Sequence, residues 1–298
     1  MNSSLLGPMK FLGREYESPI WAASGCYGWY VEAQDGEFLP QKNLGAVVLK
    51  GLSFEAERGA PQPRIWEMGE GLGLVNAIGL QNPGFDKFKT DYLNRFLKTQ
   101  KPKHPLWLNI YGKKTEEYVK LIKSLVGEIE NLDVKGSQGV FAGFEINISC
   151  PNVEKGGLEF SQDLSVLNKL LTEIKLVSRN WPILVKFSAA ESSSGILEKA
   201  KICADSGISG ITLCNTLPAR PPKGKIGRGS GGLSGPTLKL QSLRLIESVA
   251  GKCGDLKIVA CGGIDGLEAA GQAQSAGAEI FQVGTQVLRD PWFFDRLK

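Results

Sequence analysis

No two cysteines in this chain form a Cys-x-x-Cys pair; Cys26, Cys150, Cys203, Cys214, Cys253 and Cys261 are scattered singly. That spacing argues against a zinc site, an iron–sulfur cluster and a disulfide scaffold, and it fits a reducing compartment. A basic block is missing as well. The 35 basic and 31 acidic residues are dispersed and leave a formal net charge of +4, without the footprint of a nucleic-acid binder. So small an excess can still help draw in anionic ligands. No apolar run approaches the length of a membrane span. The N-terminal Met-Asn-Ser-Ser-Leu-Leu-Gly-Pro-Met-Lys lacks the charged region and sustained apolar core of a signal peptide. Low-complexity segments, short repeats and an interdomain linker are absent too. The expectation is a soluble cytoplasmic protein with residues 1–298 in a single domain.

What is present is a series of short apolar runs separated by amphipathic stretches. Eight candidates for buried strands cover residues 19–24, 45–50, 105–110, 144–149, 182–188, 210–215, 257–262 and 279–285. Several are nearly continuous in Val, Ile and Leu, as when both faces of a strand are covered. Between them, residues 115–128, 164–178, 196–206 and 238–250 carry helical periodicity; Leu121, Ile122 and Leu125 mark one buried stripe. Eight strands alternating with helices predict an α/β protein of the (β/α)8 TIM-barrel type; an open doubly wound sheet is the rival. Two connections are long, residues 51–102 and 217–236, and such loops in a compact domain are functional or disordered. They are read as insertions at the C-terminal face of the barrel.

Active sites of such barrels lie at the carboxyl ends of the strands. Those ends read Ser24-Gly25, Lys50, Asn109, Asn147 with Ser149 and Cys150, Lys186, Asn215-Thr216, Gly262-Gly263 and Gly284-Thr285. Taken singly, each has an ordinary explanation: a lysine snorkelling out, an asparagine starting a turn, a buried cysteine, a glycine in a βα turn. Together they align polar and cationic groups with eight strand ends. The fourth end stops abruptly because Pro151 cannot donate a ladder hydrogen bond and biases Cys150 toward an extended conformation. A thiol is left between the carboxamides of Asn147 and Asn152. Loops after the seventh and eighth strands frequently bind phosphate through bare backbone N–H groups. Cys-Gly-Gly-Ile at 261–264 and Val-Gly-Thr at 283–285 suit that role. Gly231-Gly-Leu-Ser-Gly-Pro236 adds another loop that a ligand can approach closely.

A phosphate site, two lysines, several amides and one thiol are the parts of a flavin mononucleotide (FMN) oxidoreductase. A lysine at the N1–C2 carbonyl edge stabilises the anion formed on reduction. Asparagines match the imide and amide edges of a pyrimidine. A thiol whose pKa is brought toward neutral can serve as base on a carbon acid.

Asn147-Ile-Ser-Cys-Pro-Asn152, Asn76-Ala-Ile-Gly-Leu-Gln-Asn-Pro-Gly84 and Gly231-Gly-Leu-Ser-Gly-Pro236 closely resemble class 1 dihydroorotate dehydrogenase. The resemblance runs from Pro19 to the C-terminus with the motifs in the family's order. The 76–84 stretch looks most like the catalytic subunit of subclass 1B, which works with an iron–sulfur FAD electron-transfer subunit and passes electrons to NAD. The resemblance implies oxidation of dihydroorotate to orotate in pyrimidine biosynthesis. Cys150 would take the C5 proton while a hydride leaves C6 for the flavin, and Lys186 would join it in the catalytic set. Lys50, Asn76, Ala77, Ile78, Gly79, Leu80, Asn147, Asn152, Asn215 and Thr216 would hold substrate. Ser24, Lys50, Gly51, Asn109, Asn147, Lys186, Cys214, Gly235, Gly262, Gly263, Gly284 and Thr285 would line FMN; no metal is implied.

The chain departs from that pattern at Gly51, where the family generally has a hydroxyl residue, and at Trp21, Trp29 and Tyr30. Its 217–236 connection is also shorter, Pro-rich and basic. The alternatives are a dihydropyrimidine dehydrogenase-like flavoenzyme, a flavin-free phosphate-binding isomerase or synthase, and a non-catalytic barrel subunit. The electron acceptor, NAD through a partner or fumarate, and the assembly, homodimer or heterotetramer, stay open at this point.

Overall fold

The computed structural model describes residues 5–37, 39–40, 42–69, 71–98, 101–132, 139–149 and 163–298. Eight parallel strands close into a barrel: β1 (Ile20–Ala22), β2 (Val47–Val48), β3 (Leu106–Ile110), β4 (Phe141–Asn147), β5 (Ile183–Lys186), β6 (Gly210–Leu213), β7 (Lys257–Cys261) and β8 (Ile280–Val283). Each pairs with the next in sequence, and β8 closes on β1 through Gln282 opposite Trp21. All eight apolar runs are strands of the barrel, and β4 begins three residues before the expected Phe144. β3 and β4 are buried at every position, which is why they read as continuous apolar runs.

The amphipathic stretches are helices packed outside the barrel, at Thr115–Leu132, Leu164–Ser178, Ser193–Asp205 and Lys239–Val249. Asp163 caps the second by accepting from the N–H groups of Ser165 and Val166, and Ser192 caps the third through Gly195 N. Leu121, Ile122 and Leu125 are fully buried, each contributing about 1.5–3 kcal/mol relative to exposure.

Side chains fill the barrel in layers. The lower layer is apolar: Trp21, Trp107, Leu184, Val259 and Ile280 form one cluster. Trp21 and Trp107 lie 5.6 Å apart. Gly143 makes room there, since a Cβ at that position would sit 2.5 Å from the Trp107 ring and from Pro182 O. The hairpin Met9–Phe11 with Arg14–Tyr16 stops the bottom, with Phe11 and Tyr16 against Trp21. Trp21 is therefore part of the floor. Trp29 and Tyr30 are buried in a separate aromatic cluster with Phe88, Tyr92, Phe96 and His104.

The two long connections build an element that the periodicity did not predict. Ile65–Glu67, Leu74–Asn76, Gly231–Ser234 and Leu217–Ala219 form a four-stranded antiparallel sheet. Asn76 pairs with Gly232, and Leu233 with Val75. Residues about 150 positions apart are thereby joined over the carboxyl ends of the barrel strands. Among the described residues, no helix is long and apolar enough to cross a membrane.

Candidate functional site

A cleft of about 1000 Å³ opens between the barrel's carboxyl ends and this small sheet. That is the upper end of the range for small-molecule and cofactor sites. β1 and the turn after it bring Ser24 to the wall, β2 brings Lys50 and Gly51, and β3 brings Asn109. β4 contributes Asn147 and Ser149, β5 Lys186, and the end of β6 Cys214, Asn215 and Thr216. Residues 76–80 and Gly235 line the side under the small sheet; Gly262, Gly263, Gly284 and Thr285 line the side at β7 and β8. Every site residue expected from the sequence and described by the structure borders this one cleft. Cys150 and Asn152 lie outside the described residues.

Below the cleft, inward-facing positions of five strands form a polar layer around Glu145. Its Oε1 accepts from Asn109 Nδ2 at 2.9 Å and lies 3.5 Å from Lys186 Nζ. Its Oε2 accepts from Thr212 Oγ1 at 2.9 Å and from Gln282 Nε2 at 2.8 Å. Lys186 Nζ also donates to Gln282 Oε1 at 3.4 Å. Glu145, Thr212 and Gln282 are wholly buried and Lys186 is 4% exposed. Burial, the largest influence, works against the Lys186 charge, but the negative charge facing it, the Glu145 carboxylate above all, outweighs it and pushes its pKa up. Burial also pushes the Cys261 thiol up and keeps it neutral, so Glu145 is the partner that holds Lys186 cationic.

Sequence reasoning missed Glu145, Thr212 and Gln282. The signal was present for Glu145: a carboxylate inside an apolar strand, two positions before Asn147, shares that residue's inward face and needs a buried partner.

A second chain of bonds ties β4 to β6. Asn215 Nδ2 donates to Ser149 Oγ at 2.6 Å, and Ser149 Oγ donates to Asn147 Oδ1 at 2.7 Å. Tyr118 Oη holds the Asn147 carbonyl at 2.8 Å. Two amides are thus fixed beside the start of the 150–162 segment. On the opposite wall Lys50 is half-buried; burial, then the nearby Arg64 charge, lower its pKa against the pull of Glu32. Asn76 Nδ2 donates to Gly232 O at 3.3 Å within the small sheet, and Thr285 Oγ1 to Ser234 Oγ at 3.0 Å ties that sheet to the barrel.

Two observations bear on a flavin nucleotide. Asn109 Oδ1 is buried and has no partner among the described residues. Buried acceptors are normally satisfied, so this oxygen calls for a ligand N–H, such as a flavin imide. Gly263 lines the cleft at the end of β7 with φ +78°, and a Cβ there would lie 2.5 Å from the Lys239 backbone, so this turn is held without a side chain. At Gly51 a Cβ would come within 3.1 Å of Asn109 Oδ1; a hydroxyl side chain there would crowd the oxygen that this chain leaves open. The residues present fit the group. Burial pushes the thiols of Cys26, Cys203, Cys214, Cys253 and Cys261 up, Cys26 to about 12; none of these is a ready base near neutral pH.

The dihydroorotate dehydrogenase family model matches residues 8–298. A "Dihydroorotate dehydrogenase B (NAD(+)), catalytic subunit" of Geobacter sp. (strain M21) is 37% identical over 290 residues, 94% of this chain and 86% of the relative. A chain of Aquifex aeolicus provisionally named dihydroorotate dehydrogenase A (fumarate) is 36% identical over 289 residues, 95% of this chain and 88% of the relative. Among solved structures, the DHODH of Eimeria tenella in complex with ferulenol superposes with a TM-score of 0.75 over 97% of this chain and 81% of that one. At 20% identity, that likeness concerns the fold alone. The fold, the ring of polar strand ends and near full-length similarity agree: the chain belongs to the dihydroorotate dehydrogenase family.

Proposed function

We propose that this chain oxidises dihydroorotate to orotate with FMN in the cleft. The observation that carries the reading is the convergence of Lys50, Asn109, Asn147, Lys186 and Asn215 on one cleft, with the Asn109 oxygen buried and unpartnered among the described residues. That set offers acceptors and donors to two planar amide-edged rings and a cation to each. Lys186 would face the flavin carbonyl edge, with Asn109 at the imide. Gly262, Gly263, Gly284 and Thr285 would hold the phosphate, with Ser24, Gly51, Cys214 and Gly235 along the remaining wall. Asn147 and Asn215 would bind the pyrimidine together with Thr216 and residues 76–80. Lys50 would neutralise the substrate carboxylate. FMN, when bound, supplies the hydride acceptor. Cys150 would take the C5 proton, with Asn152 as a further amide beside it; the chemistry asks for a single thiolate near the two fixed amides.

The relatives carry names for either acceptor at 36% and 37% identity. Use of NAD would require a partner, because the cysteines are too scattered for a cluster; we therefore favour an iron–sulfur FAD subunit. The cytoplasm is the compartment that this reading and the free thiols suit.

An absorbance spectrum of the purified protein, repeated anaerobically after addition of dihydroorotate, tests the proposal. Bound flavin should be visible and should bleach. A colourless protein would overturn the flavin reading and leave a phosphate-binding isomerase. Bleaching by dihydrouracil but not dihydroorotate would move the substrate to the dihydropyrimidines.

A further inference from the structure

We propose that Glu145 is the positioning residue that sets the donor and acceptor pattern of the cleft floor: its carboxylate fixes the amide orientations of Asn109 and Gln282 and holds the Lys186 ammonium as a donor into the cleft. The proposal rests on the reading of the cleft as a flavin site for its consequence, and on geometry alone for its cause.

The argument starts from what a carboxylate can do. Ionised, it only accepts, and Glu145 receives three donors from three strands, Asn109 Nδ2, Thr212 Oγ1 and Gln282 Nε2, with Lys186 Nζ at 3.5 Å. An amide bound through its NH2 to an obligate acceptor cannot flip without placing oxygen against oxygen. Asn109 is therefore compelled to turn Oδ1 away from Glu145, and that is the oxygen without a partner among the described residues. The same constraint turns Gln282 Oε1 onto Lys186 Nζ at 3.4 Å. Lys186 thus has two acceptors on the barrel side, and its remaining donor capacity serves the cleft. One buried carboxylate accordingly dictates an acceptor at Asn109 and a cationic donor at Lys186, the pattern an imide N–H and an anionic carbonyl edge require.

Glu145→Gln keeps the shape and removes both constraints. The new amide must present NH2 toward at least one existing donor, so either Asn109 or the Thr212 and Gln282 side is repelled. Lys186 loses its counter-ion. Among the described residues the other titratable groups around Lys186 are Cys261, Cys26 and Cys214, all pushed up by burial and neutral in the fold; their ionisation in the unfolded chain near 9 acts on both proteins alike and cancels in the comparison.

Two arms test this. In flavin-free protein, Tm is measured from pH 7 to pH 9.5. The wild-type Lys186, with its pKa raised in the fold, contributes fully throughout that range and loses its contribution only above the unfolded value near 10.5. In E145Q the uncompensated lysine binds its proton less tightly folded than unfolded, so its own contribution to stability rises with pH. The Tm deficit of E145Q should therefore shrink as pH increases; a constant deficit would overturn the proposal. Should E145Q fail to fold at neutral pH, the double variant E145Q/K186M, which removes both charges, should fold and show no such pH dependence. Failure of both variants would equally sink the assignment.

The second arm follows anaerobic flavin reduction by dihydroorotate. E145Q should be roughly 100-fold slower at pH 9, the scale of losing one electrostatic donor, and should recover toward pH 6 as Lys186 regains its proton. A wild-type rate with an unchanged pH profile would refute the role. Absence of flavin from the wild type would instead defeat the functional reading while leaving the Tm arm decisive.

Discussion

His104 is the only histidine in the chain, which makes one pH effect unusually clean. It is 3% exposed and lies just before β3. Tyr30 Oη accepts from the backbone N–H groups of Lys103 and His104 at 3.0 and 3.2 Å. Its own proton is therefore given to His104 Nδ1 at 3.1 Å, and the ring is held neutral. Burial, then the Lys103 charge, lower the His104 pKa from 6.5 to about 4, against a weaker pull from Asp295. The unfolded chain thus binds this proton more readily than the folded one. Stability is fully present above pH 6.5 and is lost as the pH falls toward 4. The whole shift corresponds to about 3 kcal/mol; between pH 7 and pH 5 the loss is about 2 kcal/mol. At the usual unfolding entropy per residue, that lowers Tm by about 3 °C in a chain of this size. The assay is thermal unfolding of wild type and His104→Phe at several pH values from 5 to 7. Phe should be less stable at pH 7, because the Tyr30 bond is gone, yet lose clearly less on acidification. If both proteins lose Tm in parallel, the acid sensitivity lies elsewhere and the reasoning fails.

Cys150→Ala should retain flavin and lose most turnover, because the base is removed while the binding face stays; a wild-type rate near neutral pH would remove Cys150 from that role. Lys186→Ala strands the Glu145 carboxylate without its counter-ion, so it should cost about 3–5 kcal/mol and reduce both flavin content and reduction rate. Unaltered Tm, flavin content and kinetics would contradict the pairing. Gly263→Ala forces a side chain into a φ of +78° with backbone 2.5 Å away. It should cost at least about 1–2 kcal/mol and release flavin on dilution, while tight retention would show that the β7 loop does not hold the phosphate.

Local chemistry determined much of this protein. Eight apolar runs at β/α spacing are enough to name the barrel, because parallel strands covered on both faces leave a continuous apolar signature. The strand ends are readable for a related reason: polar residues that stop such runs, at Lys50, Asn109, Asn147 and Lys186, fall on the same face of the barrel. Tertiary structure alone decided two things. The antiparallel sheet over the cleft joins Asn76 to Gly232, and neither short segment has enough periodicity to announce a strand before the other is beside it. The Glu145 layer depends on five strands bringing single residues within 3.5 Å. Each of those residues is an isolated polar letter in its own run. Only the closed barrel makes one carboxylate the common partner of all four others, and with that contact the floor of the cleft acquires its polarity.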